Sequence, residues 1–547
     1  MLQEGGFSKY SESSLDIFRF IDGDPQRTGS MMDDGVLPWW TYRALKAAFW
    51  RPVTALTHGL DYQLWPRWPV LMHAHSIMWF ALLVFIVSWY YRRLMGLTLA
   101  SGLAAFLWAI DDAHGMPIAF LANRNIMVCM TFGVWALWAH DRWRRDHWRY
   151  GAWAGPLLLV TALLAKESGV AVFAYLFSYA LFLDRAGWKK GFVSLLPYVG
   201  VIVTWRVIWT HLGYGMSGAG MYVDPVTEPI RFAGSVLKHA PILLLGQWGV
   251  PQADISYVPG VNMRIVWMGA VIFEAIILWL MIPLLRQDRR ACFWALGMIF
   301  SVIPACATLA ADRMLFFVGL GGMGLLSLFL CEVFGRESRY RPWRGWRYIV
   351  PVVGIIFVLI HVVLAPVLLP LRASYSLGLK NFLEAITVRT VLDDSVARQD
   401  VIIVNPPVPM AALYLPVHRE VQGLLPPRRV RVLASGYPSV EVERWDAYTL
   451  KICPAAGFMP LLFDQLFRNE RFPFRRGEQV ELAGMSAEIV ALNEDNRPSE
   501  VIFRFAVPLE DASLRWLRFE EGEFITFIPP PVGESVTLHI SKKYTMK

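Results

Sequence analysis

Two aspartates and a histidine stand together at Asp111-Asp112-Ala113-His114, in a connector a few residues long between two apolar stretches, and Asn123-Arg124-Asn125 follows close behind. Adjacent carboxylates and an imidazole at that depth must face water, a cation or a substrate, because an unpaired charge against lipid is costly. The carboxylates could act as a general base, or the connector could be a solvated turn. An arginine at position 124 favours an anionic partner, such as a phosphate or one of these aspartates. Equally, it could anchor its helix through an internal salt bridge. Lys166-Glu167 forms a tight hinge and Asp312-Arg313 opens a later helix; each alone reads as a local ion pair. The stretch 213–220 holds four glycines ahead of Tyr222, Asp224 and Pro225, and such a loop either brings backbone amides to a ligand or simply connects two helices. The amino-terminal stretch adds Asp22, Asp24, Asp33 and Asp34, then Arg51, Asp61, His73 and His75. Acidic residues there could place a divalent cation or supply a general base, and singly they are solvated loop charge.

The elements that must position these residues are apolar runs at Pro69–Tyr91, Leu94–Ile110, Pro117–His140, Ala152–Ala165, Ser168–Leu183, Gly191–Leu212, Arg264–Leu285, Ala291–Ala310, Arg313–Phe334 and Tyr348–Leu371. Most approach the roughly 17 to 25 residues that a spanning helix needs. Arginine and lysine collect in alternate connectors, at Arg92–Arg93, Arg142–Arg149, Arg185–Lys190, Arg286–Arg290 and Arg336–Arg347. The positive-inside rule makes those turns cytoplasmic and puts Asp111, Lys166, the 213–261 stretch and Asp312 outside. By this parity the apolar stretch 232–250 cannot cross, and reads as a re-entrant or interfacial helix with Lys238 and His239 in its polar stripe. The same parity places residues 1–68 outside without a hydrophobic run to deliver them, so the expectation is either an unusual route of translocation or an upstream first helix missing from this sequence. The first residues are polar and no small-residue cleavage site follows an apolar core, so a cleavable signal peptide is not expected in this stretch.

Composition agrees: hydrophobic residues make up 55% and charged residues 18%, as suits a chain partly dissolved in lipid. The net charge of +8 lies largely in the basic turns, which leaves no case for a nucleic-acid partner. Of five cysteines, four sit in apolar segments and Cys453 is alone, so neither a disulfide framework nor a zinc spacing emerges. The reading is an integral, multi-pass protein of about ten transmembrane helices, over residues 69–371. After it, residues 372–547 carry short alternating blocks separated by Gly, Pro and Asn-Asp turns, which predict a mostly β exterior domain with a short helix at Leu461–Arg468. Asn405-Pro406-Pro407 reads as a plain strand exit rather than a nucleotide-site loop.

In order along the chain, Trp50-Arg51-Pro52-Val53-Thr54-Ala55-Leu56-Thr57, Leu60-Asp61-Tyr62-Gln63-Leu64, Ala165-Lys166-Glu167-Ser168-Gly169-Val170 and Ala311-Asp312-Arg313-Met314-Leu315-Phe316 resemble motifs of the integral-membrane GT-C glycosyltransferases. Within these, the nearest likeness is to the transmembrane O-mannosyltransferases that carry tetratricopeptide repeats and to related bacterial membrane proteins. The resemblance implies transfer of a sugar from a polyprenyl-phosphate donor to a hydroxyl acceptor, protein or glycan, at the exterior face of a bacterial inner membrane, with the carboxy-terminal domain periplasmic. Asp111, Asp112, Asp33 or Asp34 would be the catalytic carboxylate, and Arg51, His73, His114, Asn123, Arg124, Lys166, Glu167, Asp312 and Arg313 would bind substrate, with a divalent cation as the one cofactor the acidic residues could hold. The chain departs from the pattern in two ways. Asp33-Asp34 lies closer to Arg51 than the family's acidic pair, so that a chain without that pair would be inactive, and a β domain replaces the repeats. Two other functions compete: a transporter or flippase of lipid-linked glycan, which should show inverted repeats and charges deep in several spans, and a non-catalytic envelope protein whose β domain binds glycan or a partner.

Overall fold

A computed structural model describes residue 10 and residues 13–258, 260–335, 346–374 and 392–540. Among the described residues five helices are long and apolar enough to cross a membrane: Pro69–Met95, Trp188–His211, Met263–Gln287, Phe316–Phe334 and Tyr348–Ala373. A sixth span results if Leu99–Ala119 and Leu121–Asp146, which meet at a bend of 116°, are taken together. Gly151–Ala165 and Glu167–Phe182 are apolar but shorter.

The run expected to cross at Leu94–Ile110 yields only the 11-residue helix Leu99–Ala109, about 16 Å long against a hydrocarbon core of about 30 Å. Its limits are local. Thr98 and Ser101 close a capping box at its start, and beyond its end the Asp111 carboxylate accepts from the Ala113 amide at 3.0 Å, which turns the chain into a single 3₁₀ turn. Similarly, the helix expected from Pro117 begins at Arg124. Such short segments are tolerated because neighbours bury them: Leu107, Trp108, Leu159 and Leu163 are all in the helical core.

The ends of Pro69–Met95, Arg124–Asp146 and Val172–Phe182 meet on one face, where the basic turns gather. There Arg93 pairs with Asp141 at 2.6 Å and with Asp146 at 2.5 Å, Arg144 pairs with Asp184 at 2.7 Å, and the Tyr179 hydroxyl donates to Asp141 at 3.0 Å. The basic connector at 336–345 lies outside the described residues.

The Pro229–Trp248 helix corresponds to the predicted non-crossing segment at 232–250. Near its start the Ser235 hydroxyl donates to the Cys306 carbonyl at 2.6 Å, and at its end the Gln247 amide donates to Asp111 at 2.8 Å. Both partners lie at helix ends opposite the basic face, so the helix runs along that face. Its last turn dips inward, where Trp248 packs edge-on against Phe357 at 6.0 Å. The chain then returns: the Ala253 amide donates to Asp312 at 2.9 Å and the Ser256 hydroxyl to the Ala310 carbonyl at 2.5 Å.

The carboxy-terminal region forms two sheets. With β1 (Arg19–Asp22), β2 (Lys46–Ala48) and β3 (Gly215–Ser217) forming a small sheet of their own, the later strands are β4 (Asp400–Ile403), β5 (Arg429–Val432), β6 (Ser439–Arg444), β7 (Thr449–Pro454), β8 (Gln479–Leu482), β9 (Met485–Leu492), β10 (Pro498–Phe505), β11 (Leu514–Glu520), β12 (Glu523–Thr526) and β13 (Ser535–His539). One sheet is antiparallel in the order β13-β6-β7-β10-β9-β8; the other runs β12-β11-β4-β5, with β4 parallel to both neighbours. The helix predicted at Leu461–Arg468 is a single 3₁₀ turn, Asp464–Leu466.

This core is completed from the far end of the chain. Met31, Met32, Trp39 and Trp40 are buried in the same cluster as Val401, Ile403 and Phe503. The Trp39 indole donates to the Leu433 carbonyl at 2.9 Å, and Arg431 donates to the Met32 carbonyl and to that of Asp33. Gly35 has φ +75°, and a Cβ there would sit 2.5 Å from the Val430 carbonyl oxygen, so the close approach needs glycine. The unit docks on the 213–228 stretch, opposite the basic face: the Gly220 amide donates to the Gln465 carbonyl and the Asn469 amide to the Gly218 carbonyl, each at 2.9 Å.

Candidate functional site

Three connectors and one helix end converge on the face opposite the arginine-rich turns. The connector after Ala109 brings Asp111 and Asp112, the return loop after Trp248 brings Asp254, a 3₁₀ turn at Asp312–Met314 brings Asp312, and the helix Ala365–Ala373, at the end of the last apolar run, brings Arg372. The guanidinium of Arg372 joins three of the carboxylates: Nη1 donates to Asp112 at 2.8 Å, and Nη2 to Asp254 at 2.5 Å and to Asp312. Asp312 is 1% exposed. Burial, reinforced by the neighbouring Asp254 charge and opposed by Arg372, pushes its carboxyl up to about 7. Asp111, 5% exposed, has neutral donors instead: the Ala113 amide on one oxygen and the Gln247 amide on the other. Glycine at 319 makes room for this pair, since a Cβ there would lie 3.2 Å from the Gln247 oxygen and 3.5 Å from Asp111.

The next residue along, Arg313, belongs to a cationic group. Its side chain bonds Tyr257, and its charge acts together with that of Arg51 on Lys166. Arg51 pairs with Glu167 through Nη2 at 2.7 Å and Nε at 3.0 Å, and lies 4.3 Å over the Phe49 ring. Among the described residues, Lys166 Nζ has no hydrogen-bond or ion-pair partner. Desolvation, then repulsion by Arg51 and Arg313, lowers the Lys166 ammonium to about 7. Three cations with one carboxylate between them form an anion-seeking surface. Beside it, Trp50, Val160, Leu164, Val201, Trp205 and Ile208 line an apolar cavity of about 390 Å³; Trp50 precedes Arg51, and Leu164 is one residue removed from Lys166.

The other predicted site residues lie elsewhere. Arg124 is wholly buried and bonds Asp61 at 2.6 Å, the Ser76 hydroxyl at 2.9 Å and the Met72 carbonyl at 2.8 Å, so it is the helix anchor, and the cation on the Asp112 carboxylate is Arg372. His75 shares Asp61 at 2.5 Å and accepts from the Trp79 indole at 3.0 Å. His73 is partly buried on the same helix. His114 is packed among the rings of Trp108, Phe316 and Phe80 at 4.4, 4.3 and 5.5 Å. Asn123 reaches only the Met116 sulfur, at 3.9 Å. Asp33 and Asp34 belong to the β unit, where Asp33 accepts from the Ala483 amide at 2.9 Å and Asp34 from the Tyr10 hydroxyl at 2.5 Å.

Sequence reasoning missed Gln247, Asp254 and Arg372. Arg372 carried a signal, as the first cation after the last apolar run and therefore on the same side as Asp111. Among the described residues no group of three or more His, Cys, Asp or Glu side chains is arranged to hold a metal ion. No family model matches the chain, and neither does any curated protein.

Proposed function

We propose that the chain is a membrane glycosyltransferase of GT-C type, with about ten crossing segments, which moves a sugar from a polyprenyl-phosphate donor to a hydroxyl acceptor at the exterior, periplasmic face of a bacterial inner membrane. The observation that carries this is the junction of two opposite surfaces at consecutive residues: Asp312 belongs to the carboxylate group and Arg313 to the cationic one. Sugar transfer from a lipid phosphate needs both, a base on the acceptor hydroxyl and cations on the departing phosphate, within the span of a sugar phosphate.

Asp111 suits the base because its partners are neutral; Asp112 is tied to Arg372. Lys166, Arg51 and Arg313 would take the phosphate, and the apolar cavity between Trp50 and Ile208 the first isoprene units of the chain. Reconstituted protein supplied with polyprenyl-phosphate sugar tests the assignment. Asp111→Asn should abolish transfer with donor binding retained, and Lys166→Ala should raise the donor KM with little change in kcat. Full transfer by Asp111→Asn, or transbilayer movement of the lipid with its sugar still attached, would refute it.

A further inference from the structure

Arg372 occupies a position that its charge environment does not require to be protein at all. Asp112, Asp254 and Asp312 come from three separate connectors, and each places an oxygen on the same guanidinium. Their other contacts are backbone amides: Asp312 accepts from Ala253 at 2.9 Å, and Asp254 accepts from the Asp312 amide at 3.1 Å. Three carboxylates thus share one cation, with Asp111 alongside on its neutral donors. Clusters of this composition are commonly bridged by a divalent ion, whose charge offsets the repulsion and fixes the loops. Among the described residues no carboxylate set has metal geometry; the three oxygens instead lie against the two Nη atoms of a planar fork, as guanidinium recognition requires.

We propose that Arg372 is a built-in counter-cation, a positioning residue that does the work of a bridging divalent ion and frees this face from dependence on one. Because it is tethered, it cannot be lost to chelators or dilution. It ties the Asp112 connector, the Asp254 loop and the Asp312 turn to the last helix, and so sets where the Asp111 connector stands. The inference rests on the geometry alone and holds whatever reaction the site performs.

Removing the cation while keeping the carboxylates should create the ion site that the arginine replaces. The full chain in detergent, followed by thermal unfolding and by Mn2+ titration with electron paramagnetic resonance, reads this directly. Wild type is expected to show no saturable Mn2+ site and no change in melting temperature with excess Mn2+ or chelator. Arg372→Gln should melt lower, bind one Mn2+ per chain and recover stability with it, while Arg372→Lys, which keeps the charge but loses the fork, should melt between the two without binding. Should Arg372→Gln fail to accumulate, Arg372→Gln/Asp254→Asn, with one fewer negative charge, should accumulate again. A saturable Mn2+ site in wild type that Asp254→Asn removes would overturn the proposal. So would an Arg372→Gln protein whose stability responds neither to Mn2+ nor to Asp254→Asn.

Discussion

Replacing Arg124 by alanine separates an anchoring role from a ligand-binding one. The side chain is 0% exposed and its partner Asp61 2%, so its removal strands a buried carboxylate and leaves the Ser76 hydroxyl and the Met72 carbonyl without their guanidinium donor. Losing one member of a buried ion pair costs about 3–5 kcal/mol. Against a typical total of about 5–15 kcal/mol, the variant should aggregate tens of degrees below wild type or fail to accumulate. The assay is thermal unfolding of the detergent-solubilised protein read by size-exclusion chromatography. Asp61→Asn/Arg124→Met, which removes both charges, should lose less than Arg124→Ala alone, because no unpaired ion remains. If Arg124→Ala kept the wild-type melting temperature and instead raised the donor KM, the residue would be a ligand contact and the anchor assignment would be wrong.

Three further outcomes can be checked. Lys166 changes charge near pH 7, so the donor KM should rise between pH 6 and pH 8; Lys166→Arg should flatten that rise, measured in the same transfer assay. Asp464 is 1% exposed, and burial raises its carboxyl to about 7; a raised carboxyl contributes stability that is complete below its unfolded value and is lost as pH climbs through about 7. Asp464→Asn should therefore reduce the fall in melting temperature between about pH 4 and about pH 7. Gly35→Ala forces a side chain into a positive-φ position against Val430 and should cost about 1–3 kcal/mol, seen as a lower unfolding midpoint for the β unit by near-ultraviolet circular dichroism.

What the sequence discloses here is set by how far apart the interacting residues lie. Apolar length and the placement of arginines are local, and the turns that carry Arg93, Arg144 and Asp184 do meet on one face. For Pro229–Trp248 the sequence offers only a count of crossings, because parity is a property of the whole chain and not of the segment. Helix ends were less legible: nothing in the hydropathy of 94–110 announces that Thr98 and Asp111 will cap it down to 11 residues. Pairing partners were the least legible of all. Arg124 has an aspartate group nearby in sequence at 111–112, but its partner is Asp61; Arg372 is separated by 260 residues from Asp112. Charge pattern says that a buried cation needs an anion, and only the packing of helices says which one.

The shared core of the first and last parts of the chain bears on how the molecule is made. Met31, Met32, Trp39 and Trp40 emerge from the ribosome long before Val401 or Phe503, with which they pack, and every membrane helix must be inserted in between. At roughly 5–20 residues per second, the first segment waits tens of seconds with its indoles uncovered. It can settle only by holding to the membrane surface or to a chaperone until the final strands arrive. For the same reason, an excised fragment starting at residue 392 would expose the surface that those four side chains cover, so recombinant production of the β unit should succeed only when residues 13–48 are supplied with it.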